Sequence, residues 1–278
     1  MADSSAFETG RGRQLVRDAL LIVGSLIFVF PVVWIAWTAF KPAELSYKPG
    51  ATEFTPTLES FTLVLTESSV PLYFFNTLVI AMATTVISLT VGGLAAYAIT
   101  RYRSWGRKMY FLFLIPILLP PITLVVSMFF VYNIFGITDS RVTIVLAQMS
   151  FAIPFAVWFL TEFFRELPVT LEEAAMVDGD TRIEAILYIL VPNVKNGIFA
   201  AGVIIFIYSW NNFLFPLLLT GEGSRTLPVE LNNFNTFEGL LVAQMSAGIL
   251  ITIIPVLILA FFVQKQLVTG IAVGSGVD

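Results

Sequence analysis

Cysteine and histidine are both absent from the 278 residues. The first absence excludes disulfides and thiolate metal sites. The second removes the commonest metal ligand and the side chain that most readily exchanges a proton near neutrality. A hydrolytic enzyme is therefore not expected. Charge is scarce as well, with 12% of residues Asp, Glu, Lys or Arg against 57% apolar, where soluble domains use about 45–50% apolar residues. No G-x-x-x-x-G-K-[ST] phosphate loop occurs, and the glycine-rich stretch 270–276 has no lysine to reach a nucleotide. No cofactor or metal is expected on this chain.

What fills the sequence instead is apolar runs, at 19–40, 74–99, 109–132, 142–164, 197–219 and 245–268. At about 1.5 Å rise per residue, runs of about 20 residues cross the roughly 30 Å of bilayer hydrocarbon. The chain thus reads as an all-α integral membrane protein. A segment 1–18 precedes a six-helix domain over 19–268, and a tail covers 269–278. The first run is too long for the apolar core of a signal peptide and lacks a small-x-small cleavage site, so it reads as a helix. Orientation follows from Lys and Arg rather than from the net charge of −4. Arg11, Arg13, Arg17, Arg101, Arg103, Arg107, Lys108, Arg165, Arg182, Lys195 and Lys265 share one side, against Lys41, Lys48, Arg141 and Arg225 opposite. Both termini are expected in the cytoplasm of a multi-pass plasma-membrane protein. Pro31, Pro116, Pro120, Pro121, Pro154, Pro216 and Pro255 punctuate the runs. Each removes a backbone donor and tends to kink its helix, which suits a rocking transporter but is also common in membrane helices generally.

The most informative segment is the expected cytoplasmic loop 165–196. Thr170 with Glu173, and Thr181 with Glu184, each fit a capping box, in which a hydroxyl and a carboxylate satisfy free amides at a helix start. Between them Asp178-Gly179 supplies a stop, since glycine enters the left-handed region without a Cβ clash. The spacing predicts a short helix, a glycine turn and a second helix running to Pro192. Leu171, Ala174, Ala175 and Met176 are left as a small apolar surface. Glu172, Glu173, Asp178, Asp180 and Glu184 make the loop acidic, either to solvate it or to complement a basic rim on a partner.

These residues carry a resemblance. Glu173-Ala174-Ala175, three residues, Gly179, nine residues, Ile189, one residue and Val191-Pro192 resemble the EAA loop of binding-protein-dependent ABC importer permeases. Val191 stands where leucine is typical. Trp210-Asn211-Asn212-Phe213 and the closing 270–276 stretch are similar to the carbohydrate branch, in particular the smaller maltose-type permease. Asn212 stands where an acid is frequent, and Val277-Asp278 departs from the usual ending. The resemblance implies a type I ABC importer permease whose EAA loop carries a coupling helix. It assigns coupling to an ATPase to Leu171, Glu173, Ala174, Ala175, Met176, Asp178, Gly179, Ile189 and Pro192. It further implies a second homologous permease, an ATPase dimer that binds ATP and Mg in place of this chain, and an extracytoplasmic binding protein that delivers a carbohydrate or polyol. Nucleic acid has no part in it. Glu173 has two readings, the capping box and an ion pair with the ATPase.

Polar residues within or near the runs should face protein or water, because an unsatisfied amide in hydrocarbon is unfavourable. Asn76, Gln148, Asn211 and Asn212, with Tyr208 and Trp210, are the substrate-path candidates, since aromatic rings beside amides suit a sugar. Interhelical packing is the alternative, and Ser127, Asn133 and Ser150 belong to the same polar set. Asn232, Asn233, Phe234 and Asn235, in the loop 220–244, are candidates for contact with the binding protein. A gradient-driven secondary transporter or channel is the competing function. It would want buried acids or histidines, and Glu162 is the one acid near a run interior.

Overall fold

The computed structural model describes the backbone of residues 5–48, 50–236 and 239–274, and side chains at 13–48, 50–102, 106, 108–234 and 241–261. The long apolar runs become α1 (Ser5–Ala39), α4 (Val70–Arg101), α7 (Arg141–Glu166), α10 (Val191–Trp210) and α13 (Val242–Gly274). Between them lie α2 (Ala43–Ser46), α3 (Glu59–Thr66), α5 (Arg103–Leu118), α6 (Pro121–Ile134), α8 (Val169–Val177), α9 (Arg182–Glu184), a π-helical segment (Ala185–Leu190), α11 (Leu214–Leu219) and α12 (Leu227–Asn233). Asn235–Thr236 and Gly239–Leu240 form the antiparallel pair β1 and β2. Among the described residues five helices are long and apolar enough to cross a membrane, or six if the bent pair 108–118 and 121–134 is counted as one span.

Three expectations about the spans change. The run 109–132 is not one straight helix: 108–118 and 121–134 meet at 91°. Consecutive prolines remove two amide donors, and Leu119 and Pro120 are extended there. The fifth span does not begin at 197. Helix is continuous from Arg182 through the π segment into α10, so Pro192 falls in the first turn of α10 rather than ending a helix. Nor does that span reach 219 unbroken, because Asn211 closes α10 and the Asn212 side chain accepts the Phe215 amide at 3.2 Å, opening α11. By contrast α7 runs unbroken through Pro154. The end helices extend past the apolar runs, α1 starting at Ser5 and α13 reaching Gly274; 275–278 lie outside the described residues.

Contacts divide the chain into two units, 1–68 with 234–251 and 69–233 with 252–278. In the first, Trp37 meets Phe54 edge to face at 5.1 Å, and the buried Lys41 ammonium lies 5.8 Å and 5.7 Å from the Trp34 and Phe54 rings. None of the apolar window of α1 is buried, as fits a helix whose solvent is lipid or another chain.

In the second unit α4 and α7 form the central pair, with α10 against both. Small side chains bring them together. Ala147, Ala152 and Ala156 are buried, and a Cβ built on Gly92 would fall 2.5 Å from that of Ala156. Without a hydrophobic force between helices in lipid, such close backbone approach is what holds them. Beneath the pair, Ala96, Tyr97, Leu160, Phe164, Leu190 and Val194 form a buried cluster joining α4, α7, the π segment and α10. That cluster is the platform on which α8 sits.

Candidate functional site

Helix α8 begins where Leu167 and Pro168 turn the chain. Its N-cap is Pro168, with no side-chain cap. The expected Thr170–Glu173 capping box therefore does not form: the helix starts at Val169, ahead of Thr170, and both side chains are exposed. The Thr181–Glu184 box is present in full, the Thr181 amide donating to Glu184 Oε2 at 2.8 Å. At the other end of α8, Gly179 has φ +108°. The Asp180 amide donates to Ala175 O at 3.0 Å and the Gly179 amide to Met176 O at 3.3 Å, the paired bonds of a Schellman motif. Asp178 and Gly179 thus close the helix as expected.

One face of α8 is bare. Leu171 is 39% exposed and Val177 86%, with exposed Ala174 between them at helical spacing. Glu173 is exposed alongside. Ala175 is instead buried, Met176 half-buried, and Ile189 half-buried on the π segment, while Pro192 is exposed. The surface expected from Leu171, Ala174, Ala175 and Met176 is thus narrower: Ala175 and Met176 serve the inner face.

Glu172 shares that inner face, 4% exposed. It accepts the Tyr97 hydroxyl, and Arg101 Nε at 3.1 Å, with Arg182 Nε at 3.8 Å. Arg101 also reaches Leu167 O at 3.5 Å, and Arg182 donates to the Tyr102 hydroxyl. One carboxylate from α8 therefore gathers two groups of α4 and one of α9. In the sequence Glu172 reads as one of five acids that either solvate the loop or face a partner. Its i, i+3 relation to Ala175, on the face opposite Leu171 and Ala174, was the local signal for burial.

The membrane-embedded candidates separate into several groups. Gln148 is 0% exposed, and its Oε1 accepts Thr84 Oγ1 at 3.2 Å and the Ser209 hydroxyl. Its Nε2, like Ser88 Oγ, lacks a partner among the described residues. This is a polar node where α4, α7 and α10 cross. Tyr208 stacks on Phe151 with centroids 4.4 Å apart. Asn211 is exposed but donates to its own helix at Ile207 O, 2.9 Å. Trp210 is buried, edge-on to Phe74 at 5.3 Å, its indole donating to Thr252 O at 3.2 Å. Asn76 is also buried, its amide donating to the Gly223 and Arg225 carbonyls and accepting from Arg141 of α7. Ser127, Asn133 and Ser150 bond carbonyls of their own helices. A groove of about 670 Å³ along α4, α10 and α13 is lined by Phe74, Leu78, Phe206 and Ile258, with Thr85 and Lys195 as polar members, a lining unsuited to sugar hydroxyls.

Of the loop candidates, Asn232 and Asn233 are exposed at the end of α12, and Asn233 donates to Glu230 Oε2 at 2.9 Å. Phe234 is buried. The Asn235 side chain lies outside the described residues.

Against known proteins, residues 88–273 match the model of a family described as binding-protein-dependent transport system inner membrane component. The sulfoquinovosyl glycerol transport system permease protein SmoH of Agrobacterium fabrum is 31% identical, over 98% of this chain and 95% of that one. The trehalose/maltose transport system permease protein MalG of Thermococcus litoralis is 29% identical, over 94% and 98%. Among solved structures, a chain of a bacterial ABC transporter involved in import of the acidic polysaccharide alginate superposes with TM-score 0.77 at 22% identity, covering 95% of this chain and 98% of that one. That likeness speaks for the fold.

Proposed function

Because the chain belongs to the family of inner-membrane components of binding-protein-dependent transport systems, we propose that it imports a carbohydrate or related polyol as one of two permease subunits of an ABC importer. It is a multi-pass membrane transport subunit and not an enzyme. In this reading a partner ATPase dimer binds ATP and Mg and hydrolyses the nucleotide. A second permease completes the pore, and an extracytoplasmic binding protein delivers cargo. Both termini and α8 face the cytoplasm. The carbohydrate class is supported by relatives named for sulfoquinovosyl glycerol and for trehalose and maltose.

The observation that carries the reading is the bare face of α8, Leu171, Ala174 and Val177, on a nine-residue helix closed by a Schellman turn. An exposed apolar face on a short, rigidly terminated helix suits docking in a groove of another protein. Glu173 beside it serves as a charged contact now that it caps nothing. Closure of the ATPases displaces α8, the helices rock, and the shared cavity alternates between the two sides. Gln148, Tyr208, Asn211 and Asn212 are kept as path residues. Trp210 and Asn76, wholly engaged in packing, are framework. Asn232 and Asn233 remain the residues offered to the binding protein. A gradient-driven carrier is disfavoured by the family match, which names a binding-protein-dependent system.

The test is affinity purification of the tagged chain from its native host in mild detergent, with mass spectrometry of what accompanies it and an ATPase assay. Recovery of a second permease, an ATPase and a binding protein is expected. A homo-oligomer without an ATPase, reproduced after crosslinking, would overturn the proposal.

A further inference from the structure

Helix α8 is tied to the rest of the chain covalently at only two places, the Leu167-Pro168 turn and the Gly179 turn. Neither leads directly to α4. The first is an extended bend, Leu167 having ψ 124° and Pro168 ψ 136°. The second leads into α9, whose helix continues through six residues of π-helix into α10. A displacement of α8 must therefore reach α4 through side-chain contacts.

We propose that Glu172 is the internal key of the coupling hairpin: its carboxylate grips Tyr97 and Arg101 and passes the movement of α8 to α4. This rests on the reading of α8 as the coupling helix. The geometry is that of a shared lock. The two carboxylate oxygens divide between the Tyr97 hydroxyl and Arg101 Nε at 3.1 Å, and Arg182 Nε adds a third cation-side contact at 3.8 Å. The side chains of Arg101 and Glu172 are 8% and 5% exposed, so their attraction is little screened by salt. Arg101 Nη2 has no partner among the described residues, and Glu172 is the carboxylate paired with that guanidinium. The grip is on the right helix. Tyr97 packs edge-on to Phe164 of α7 at 6.2 Å. One to two turns further along α4, Gly92 abuts Ala156, and beyond it Thr84 bonds Gln148. Movement of α4 is thus felt by α7 and by the polar node. Glu172 touches neither cargo nor nucleotide in this account. It is a positioning residue, acting inside the chain, whereas Leu171 and Val177 act on the ATPase.

The experiment uses the complete transporter, purified with its ATPase and second permease and placed in lipid nanodiscs. Three quantities are read: the amount of ATPase captured, ATP hydrolysis alone, and hydrolysis with the binding protein as isolated from the native host. The variants are Glu172→Gln, which keeps the shape and a hydrogen bond to Tyr97 but removes the charge, and the double Arg101→Gln/Glu172→Gln, which leaves no buried charge stranded. For both, capture and unstimulated hydrolysis stay at the parent level, while stimulation by the binding protein falls about tenfold, in the middle of the usual span of coupling free energies. Should Glu172→Gln fail to insert, the charge-free double variant decides. Parent-level stimulation in the double variant overturns the proposal, and so does loss of ATPase capture, which would put Glu172 at the docking surface. Leu171→Asp separates the two layers of argument. If it abolishes capture while the Glu172 variants behave as the parent, only the internal key is overturned. If it too leaves capture and stimulation intact, the coupling-helix reading falls and takes the key with it.

Discussion

Arg141 Nε donates to Asn76 Oδ1 at 2.8 Å, and the same Asn76 amide gives its two hydrogens to the carbonyls of Gly223 and Arg225 at 3.2 Å and 2.9 Å. A single buried side chain of α4 thereby fastens the start of α7 and the loop before α12. Asn76→Ala leaves a guanidinium and two carbonyls without these partners, a loss of about 2 kcal/mol at a buried site. The expected result is a lower unfolding temperature in detergent and faster tryptic cleavage at Arg225, with ATPase capture unchanged. Loss of capture at unchanged stability would contradict the structural assignment of Asn76.

Gly179 makes a separable prediction. A Cβ there would meet no atom within 4 Å, so any effect of substitution comes from the φ of +108°, a region where side chains cost about 1–3 kcal/mol. Gly179→Val should impair binding-protein-dependent uptake more than Gly179→Asn, since asparagine is enriched at positive φ where a β-branched residue is an outlier. Gly179→Asp should insert normally and lose transport. Comparable uptake by parent and Gly179→Val vesicles would refute this.

At the central helix pair the prediction is reciprocal. Gly92→Ala sets a methyl 2.5 Å from the Ala156 Cβ, and overpacking of this kind costs about 1–3 kcal/mol. Ala156→Gly in the same chain removes the opposing methyl. The double variant should recover most of the unfolding temperature that Gly92→Ala loses, a non-additivity expected only for residues in contact. Additive losses would mean that the helices do not meet there.

Asp139 supplies a pH dependence. Its carboxylate accepts the Ser224 hydroxyl at 2.6 Å and the amides of Gly221 and Ser224 at 2.8 Å and 3.1 Å. The Ser224 hydroxyl is the largest influence, opposed by slight burial and joined by the backbone amides, and the net effect lowers its pKa below the ordinary carboxylate value. A depressed folded-state pKa means a stabilisation fully present above the unfolded value, about 3.9, and lost as pH falls through the lower folded value. The unfolding temperature of the parent should therefore drop more steeply than that of Asp139→Asn below about pH 4. Parallel curves would rule out this carboxylate as a stabilising group.

Much of this architecture can be read from local pattern, and the parts that cannot share a cause. Hydropathy finds the spans because each residue's preference for lipid is its own, and Gly179 is legible because a helix stop needs only its neighbours. The 91° turn within 109–134 is not, since hydropathy does not register direction, even with Pro120 and Pro121 in view. The extent of the fifth span is hidden in the same way: the Thr181–Glu184 box announces a helix there, but its end reads at Pro192, while the helix runs on from Arg182 to Trp210. Glu172 is the sharpest case. Adjacent glutamates look alike in the motif, yet one is exposed and the other buried, because the hairpin docks on Tyr97 and Arg101, 75 and 71 residues away. Asn76 stands out for its polarity in an apolar run, with a path role and packing both open, but its partners lie 65 to 149 residues distant and could not be read from its neighbours.

The π segment Ala185–Leu190 also bears on how the hairpin is geared to the membrane. In an α-helix each residue advances the winding by about 100°, whereas a π segment absorbs an extra residue into one broad turn. The face that α9 presents to Tyr102 and Glu172 is thereby set out of phase with the face that α10 presents to α4 and α7. Deleting one residue between 185 and 190 would let ordinary α winding run through, rotating Arg182 by about one residue's angle relative to the span while shortening the helix hardly at all. The six residues act as a fixed phase offset between hairpin and membrane helix, and a change of winding there would turn one against the other without bending either.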